Sequence, residues 1–217
     1  VYDKNHPVTS SSDYTVFEKG VRPASENPVF DLDFGRVGIQ ICFDIGFPES
    51  WAKLSEQGAR MVFWPSAYNG GFPLRVYAYL HHYYVVSSVR TDKSRIIGPC
   101  GTVLGETDQQ VNVIYRDINL DYVVCHYDFN YSIPDRIMEA WPGQVEIRPH
   151  GDAGHFLVEP IDDTVTTEQL RAQFGFESTL QYHERHRKAY KVRRQGKRPA
   201  AQEAAHGDRP TYGKWKQ

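Results

Sequence analysis

An α/β sandwich is the fold class this sequence predicts, and three observations predict it. Residues 35–42, "GRVGIQIC", alternate apolar with small or polar side chains, and the "FPESWAKLSEQGA" that follows has helical character. The pair repeats in "RMVFWPSA", "PLRVYAYLHHYY" and "VVSSVR", giving strand, helix, strand, helix, strand. From Ser94 the texture turns to short strands divided by turn residues, which fits stacked layers better than a doubly wound sheet.

Each element has a local reason. In the first strand Val37, Ile39 and Ile41 fall on one side and Gly38, Gln40 and Cys42 on the other, so Cys42 points away from the isoleucine face. Pro48 suits the first turn of the next helix, Glu49 suits the positive end of its dipole, and Gly58 terminates it. Leu74, Tyr77, Ala78 and His81 share one face of the second helix, and β-branched residues return the chain to a strand at Val85. "SRIIGP", "GTVLGET" and "VNVIYRDINL" are the expected strands of a meander, with glycines at the tight connections. The first residues of the chain also read as a strand.

Composition bounds the function. The chain has 217 residues with 25 Lys plus Arg against 27 Asp plus Glu, so global charge gives no reason to expect nucleic acid as a partner. No apolar run approaches the roughly 18 to 20 residues that span a bilayer. Cys42, Cys100 and Cys125 form neither a CxxC nor a Cys/His ligand spacing, which argues against a disulfide framework and a zinc site and favours a reducing, cytoplasmic setting. His126 and Asp128 share one strand face, but one pair is too few for a metal site. The start at Val1 raises the expectation of an N-terminally incomplete chain, with membrane attachment through a preceding segment left open. Residues 1–165 are expected to form the main domain, 166–180 a short helical extension, and 181–217 a basic tail. That tail holds 11 Lys plus Arg against three acids, about +8, and reads as a disordered, solvated extension, with contact to acidic surfaces as the alternative.

Cys42 stands at the carboxyl end of a strand, before a short loop and a helix start. Helix dipoles and free backbone N–H groups there can favour a thiolate and stabilise an oxyanion, whereas an isolated free cysteine is otherwise a packing residue. The stretch "GIQICFDIGFPES" resembles the nucleophile motif of the nitrilase superfamily, the carbon-nitrogen hydrolases: a glycine-led strand ending in Cys, an aromatic, an acid, then Phe-Pro-Glu. "VYDKNHP" is similar to that family's Tyr-x-Lys-x-His segment, with Lys4 placed 38 residues before Cys42. "GARMVFWPSAY" and "HHYYVVSSVR…GPCGTVLGET" resemble the elements that follow the nucleophile helix, so the likeness covers about residues 1–122.

The resemblance implies a four-layer α-β-β-α sandwich of the nitrilase type, missing its first strands and helices. It implies Cys42 as a nucleophile that forms a thioester, and Lys4 with the backbone N–H of Phe43 as stabilisers of the tetrahedral oxyanion. Trp64, Ser66 and Tyr68 would line the substrate pocket, with a core role as their alternative. The family's catalytic glutamate precedes the lysine, whereas Glu18, Glu26 and Glu49 follow Lys4, so the base is expected upstream of Val1. A further family glutamate falls six to eight residues after the lysine, where only Asp13 or a serine could substitute. No cofactor or metal is implied. Homo-oligomers form in this family through helices near the nucleophile, here 48–58 and 73–84. The expected reaction is hydrolysis of a non-peptide carbon-nitrogen bond of a small molecule, an amide before a nitrile. An N-acyltransferase using the same thioester and a non-catalytic, nitrilase-like association protein are the alternatives.

Overall fold

The computed structural model describes residues 1–161 and 163–200. The chain forms two compact units that meet in sequence between Leu120 and Asp121. Among the described residues no helix is long and apolar enough to cross a membrane.

The first unit runs β1 (Val29–Leu32), β2 (Gly35–Ile39), a 3₁₀ turn (Cys42–Gly46), α1 (Pro48–Glu56), β3 (Met61–Ser66), α2 (Gly71–His81), β4 (Tyr84–Val89), β5 (Arg95–Ile97) and β6 (Val103–Glu106). The strands make one six-stranded sheet in the order β1-β2-β3-β4-β5-β6. β2, β3 and β4 are parallel because α1 and α2 serve as crossovers, while tight turns make β1, β5 and β6 antiparallel neighbours. Alternation divides the sheet faces. Val62, Trp64, Val85 and Ile97 pack with Trp51, Leu54, Leu74, Tyr77 and Ala78 of the helices into one core. The Trp51 and Tyr77 rings stack at 4.4 Å and join α1 to α2. Gly38 is where β2 lets α1 approach: a Cβ there would lie 2.7 Å from Leu54 Cδ1.

The alternation of strand and helix from residue 35 to 89 is as expected, and the mixed α/β architecture with it. Two stretches differ. Residues 1–8 are not a strand; they are a loop fixed by side-chain bonds. "VNVIYRDINL" forms no strand either, because Asp108 turns the chain at the end of β6. Its carboxylate accepts the N–H groups of Val111 and Gln110 at 2.7 and 2.8 Å, and these bonds hold its pKa below the usual carboxylate range.

The second unit contains β7 (Val123–His126), α3 (Ile133–Ala140), β8 (Val145–His150), β9 (His155–Pro160), α4 (Thr167–Phe174) and α5 (Thr179–Arg194). Its three strands pair antiparallel in the order β7-β9-β8. Phe156, Val158, Ile133, Ile137, Leu170 and Phe174 form its core. α5 occupies residues expected to be a solvated tail. A capping box starts it: the Ser178 hydroxyl accepts the Gln181 N–H at 3.2 Å, and the Gln181 side chain bonds back to the Ser178 N–H. Arg185 pairs with Glu177, and Glu184 lies 3.6 Å from Arg187 and 3.8 Å from Lys188, so local pairs offset the charge density. Residues 201–217 of the expected tail lie outside the described residues.

Gly38→Ala is expected to destabilise the chain by about 1–3 kcal/mol through overpacking against Leu54. A urea midpoint lowered at unchanged slope would record it; an unchanged midpoint would mean that α1 does not approach β2 this closely.

Candidate active site

β2 ends in a turn that holds Cys42 with φ +48°, the left-handed region that few residues other than glycine adopt. The surroundings fix that conformation. The indole Nε1 of Trp64 on β3 donates to the Cys42 carbonyl at 3.1 Å, and that of Trp51 on α1 donates to the Asp44 carbonyl at 3.0 Å. The Tyr77 hydroxyl on α2 donates to the Ile45 carbonyl at 2.7 Å. Three carbonyls of the turn are thus drawn into the core by donors from three different elements. The Phe43 N–H, by contrast, has no hydrogen-bond partner among the described residues.

Asp44 is fully buried and accepts donors from two directions. Within the turn it receives the Ile41 N–H at 2.8 Å. From the N-terminal loop it receives the Tyr2 hydroxyl at 2.9 Å, and the backbone N–H and Nδ1 of His6, each at 2.9 Å. A carboxylate oxygen can only accept, so Nδ1 of His6 is the protonated nitrogen in this contact. Burial and the neighbouring Asp44 charge hold the Tyr2 phenol above its ordinary range. The His6 ring also stacks on Phe47 at 3.6 Å.

Tyr2 and His6 flank Lys4 by two residues on either side, and Asp44 is two residues beyond Cys42. One carboxylate therefore brings the lysine loop to the cysteine turn. A buried amide chain fixes the same loop from behind: Asn5 Nδ2 donates to Asn27 Oδ1 at 2.6 Å, and Gln40 Nε2 donates to that oxygen at 3.0 Å. The Lys4 ammonium lies 2.9 Å from Glu18 Oε1, and the other oxygen of Glu18 accepts the Val8 N–H at 3.2 Å.

Of the expected residues, Cys42, Lys4 and Phe43 lie on segments joined in this way. Tyr68 is exposed, and its phenol is raised above the ordinary range first by partial burial and then by the nearby Cys42. Ser66 accepts the Tyr68 N–H at 3.2 Å and shapes the end of β3. Trp64 is fully buried in the core beneath the turn, with its ring edge-on to Tyr68 at 5.5 Å. Asp13 is exposed and bonds locally to Thr15, which, with Ser11, lowers it to about 2.

The acid beside Lys4 is Glu18, which the sequence reading weighed only as a catalytic base and not as a partner of the lysine. A window of six to eight residues after the lysine was too short. The Thr9–Phe17 bridge and the bonds Ser10 N–H to Val16 O and Glu18 N–H to Val8 O fold residues 8–18 back on themselves. The signal was present as Val8 and Val16 around a Ser/Asp-rich turn.

The family model for carbon-nitrogen hydrolases matches residues 1–124. The chain belongs to the carbon-nitrogen hydrolase family. Among curated relatives, the nitrilase and fragile histidine triad fusion protein NitFhit of Caenorhabditis elegans is 30% identical over 44% of this chain and 26% of that protein. The probable hydrolase nit2 of Schizosaccharomyces pombe is 29% identical over 55% and 49%, and the omega-amidase NIT2 of Xenopus tropicalis is 30% identical over 46% and 43%. The chain thus spans half or less of the length of these relatives. Among solved structures, a carbon-nitrogen hydrolase from Helicobacter pylori G27 aligns with a TM-score of 0.46 at 17% identity, over 64% of this chain and 55% of that one. The two motifs joined through Asp44 lie within the matched family region.

Asp44→Ala strips the acceptor from the Tyr2 hydroxyl and from the Ile41 and His6 N–H groups. A loss of about 3 kcal/mol is expected, together with loosening of residues 1–8. Urea unfolding with limited proteolysis near the N-terminus measures both; unchanged stability would remove Asp44 as the tie.

Proposed function

We propose that this chain carries the nucleophile and oxyanion part of a carbon-nitrogen hydrolase centre acting on a small-molecule amide through a Cys42 thioester. The observation that carries this reading is the Asp44 tie, which sets the Lys4–Glu18 pair and the Cys42 turn side by side. The sulfur of Cys42 attacks the amide carbon, and the C=O electron pair moves onto oxygen. Lys4 and the Phe43 N–H stabilise that oxyanion, Glu18 keeps Lys4 oriented, and Tyr68 borders the space over the sulfur. A general base takes the Cys42 thiol proton as sulfur attacks and returns it to the amine as the intermediate collapses and the C–N bond breaks; the same group then takes a proton from the attacking water and restores the thiol. Water then attacks the thioester and releases the carboxylic acid. Amide rather than nitrile is supported by relatives described as omega-amidase and deaminated glutathione amidase.

Pairing of two copies through α1 and α2 is part of the proposal and is supported by the exposed side chains of Phe72 and Leu80 on α2.

The thiol is tested most directly, since alkylation by a haloacetamide needs only the nucleophile and its immediate surroundings. Intact-mass labelling between pH 6 and 9 is expected to modify Cys42 first. Cys100 is pushed up to about 12 by burial, and Cys125 is fully buried. Cys42→Ala should abolish fast labelling and thioester capture. Glu18→Gln and Lys4→Ala should cut turnover of short aliphatic amides by roughly 10²–10³ at little cost in stability. Equal, slow labelling of all three cysteines would overturn the reading; acyl transfer to an added amine in place of hydrolysis would redirect it to an acyltransferase.

A further inference from the structure

Four imidazoles and a phenol gather where α5 packs on β7. His126 ends β7 and faces His155 of β9 in register, with ring centroids 5.4 Å apart. From α5, the Tyr182 ring lies flat on His126 at 4.8 Å and 13°, and His183 stands edge-on to His126 at 6.3 Å. His186, one turn later, lies 4.4 Å from the Tyr182 ring. The Tyr182 hydroxyl donates to Asp128 Oδ2 at 3.0 Å, and the Asp128 N–H donates to Nδ1 of His126 at 3.0 Å.

These bonds specify a protonation state. Nδ1 of His126 accepts a backbone N–H, so its proton sits on Nε2. A second proton on that ring must go to Nδ1, where it meets the Asp128 N–H donor to donor. The acid facing the stack is Asp128, whose carboxylate lies 3.6 Å from Nδ1 of His126 and already accepts Tyr182. The other charged neighbours are cationic or already paired. Arg185 stands 5.4 Å from the Tyr182 ring centre and is paired with Glu177, and Arg187 is paired with Glu184. Behind His155, β8 presents His150 in register, with Arg148 paired to Glu146 and Glu159.

We propose that the His126–Tyr182 stack and its surrounding histidines form a proton-operated latch that holds α5 on β7 when the imidazoles are neutral and releases it when they are charged. The sign follows from His183, which burial first, and then His126, Arg187 and His186, hold below the ordinary imidazole value. A helix freed from the sheet binds that proton more readily, so protonation favours release. The closed state is fully favoured above about pH 6.5 and weakens as pH falls through and below that value.

Hydrogen exchange of the full chain, corrected for intrinsic rates, tests the latch at pH 7.5 and 5.0. Amides of residues 183–194 are expected to lose protection at least tenfold at the lower pH, while those of α3 and β3 keep theirs. His126→Phe retains a flat ring against Tyr182 but cannot take a proton, and His183→Gln removes the charge on a more exposed position. Each should move the release midpoint to lower pH, and His183→Gln decides the matter if the core variant folds poorly. Equal protection of α5 at both pH values, an unshifted midpoint in His183→Gln, or simultaneous loss in α3 and β3 would overturn the proposal.

Discussion

The carboxylate of Asp44 is the constraint on which the first unit's chemistry depends. A buried carboxylate is unfavourable by several kcal/mol unless donors replace its water. Here the donors are the Tyr2 hydroxyl, the Ile41 N–H, and two groups of His6. These bonds cannot form unless a loop at one end of the unit and a turn some forty residues later are in register. Satisfying one charge therefore fixes the position of Lys4 against Cys42 without requiring a direct bond between them.

The turn itself borrows its shape from the core. Cys42 with positive φ is disfavoured on its own, by about 1–3 kcal/mol, and three hydrogen bonds from Trp64, Trp51 and Tyr77 hold the carbonyls that would otherwise relax it. Those three aromatics belong to β3, α1 and α2, and they are also members of the hydrophobic core. Sheet packing and site geometry are consequently one structure. The parallel crossovers that bury the apolar face also deliver the donors, and this is why Trp64 lies beneath the turn.

Periodicity made the alternation from β2 to β4 legible, because residues 35–89 bury one face each and their spacing records it. The cysteine motif was legible for the same reason: its strand, turn and helix start are local. What escaped was non-local or conditional. Glu18 reaches Lys4 only through the fold-back of residues 8–18, and no fixed offset from the lysine encodes that. Residues 111–120 have strand composition, but the Asp108 turn precedes them and diverts the chain from the β6 ladder. α5 lacks apolar periodicity, so its helix rests on the Ser178 cap, local ion pairs and the stack on His126, none of which a hydrophobic pattern records.

The two polar centres of the chain differ in a way that follows from their components. Around Asp44 an obligate acceptor meets only donors: two backbone N–H groups, the His6 ring N–H beside the carboxylate, and a phenol that burial keeps protonated. Around His126 the groups are imidazoles that can each be donor, acceptor or cation, and one carboxylate, Asp128, lies between His126 and the Tyr182 phenol. The Asp128 N–H bond fixes one tautomer of His126, and protons on both His126 and His183 would place like charge on the two sides of the α5–β7 contact. The difference between the Cys42 turn and the α5 contact thus lies in how many hydrogen-bonding roles their groups permit.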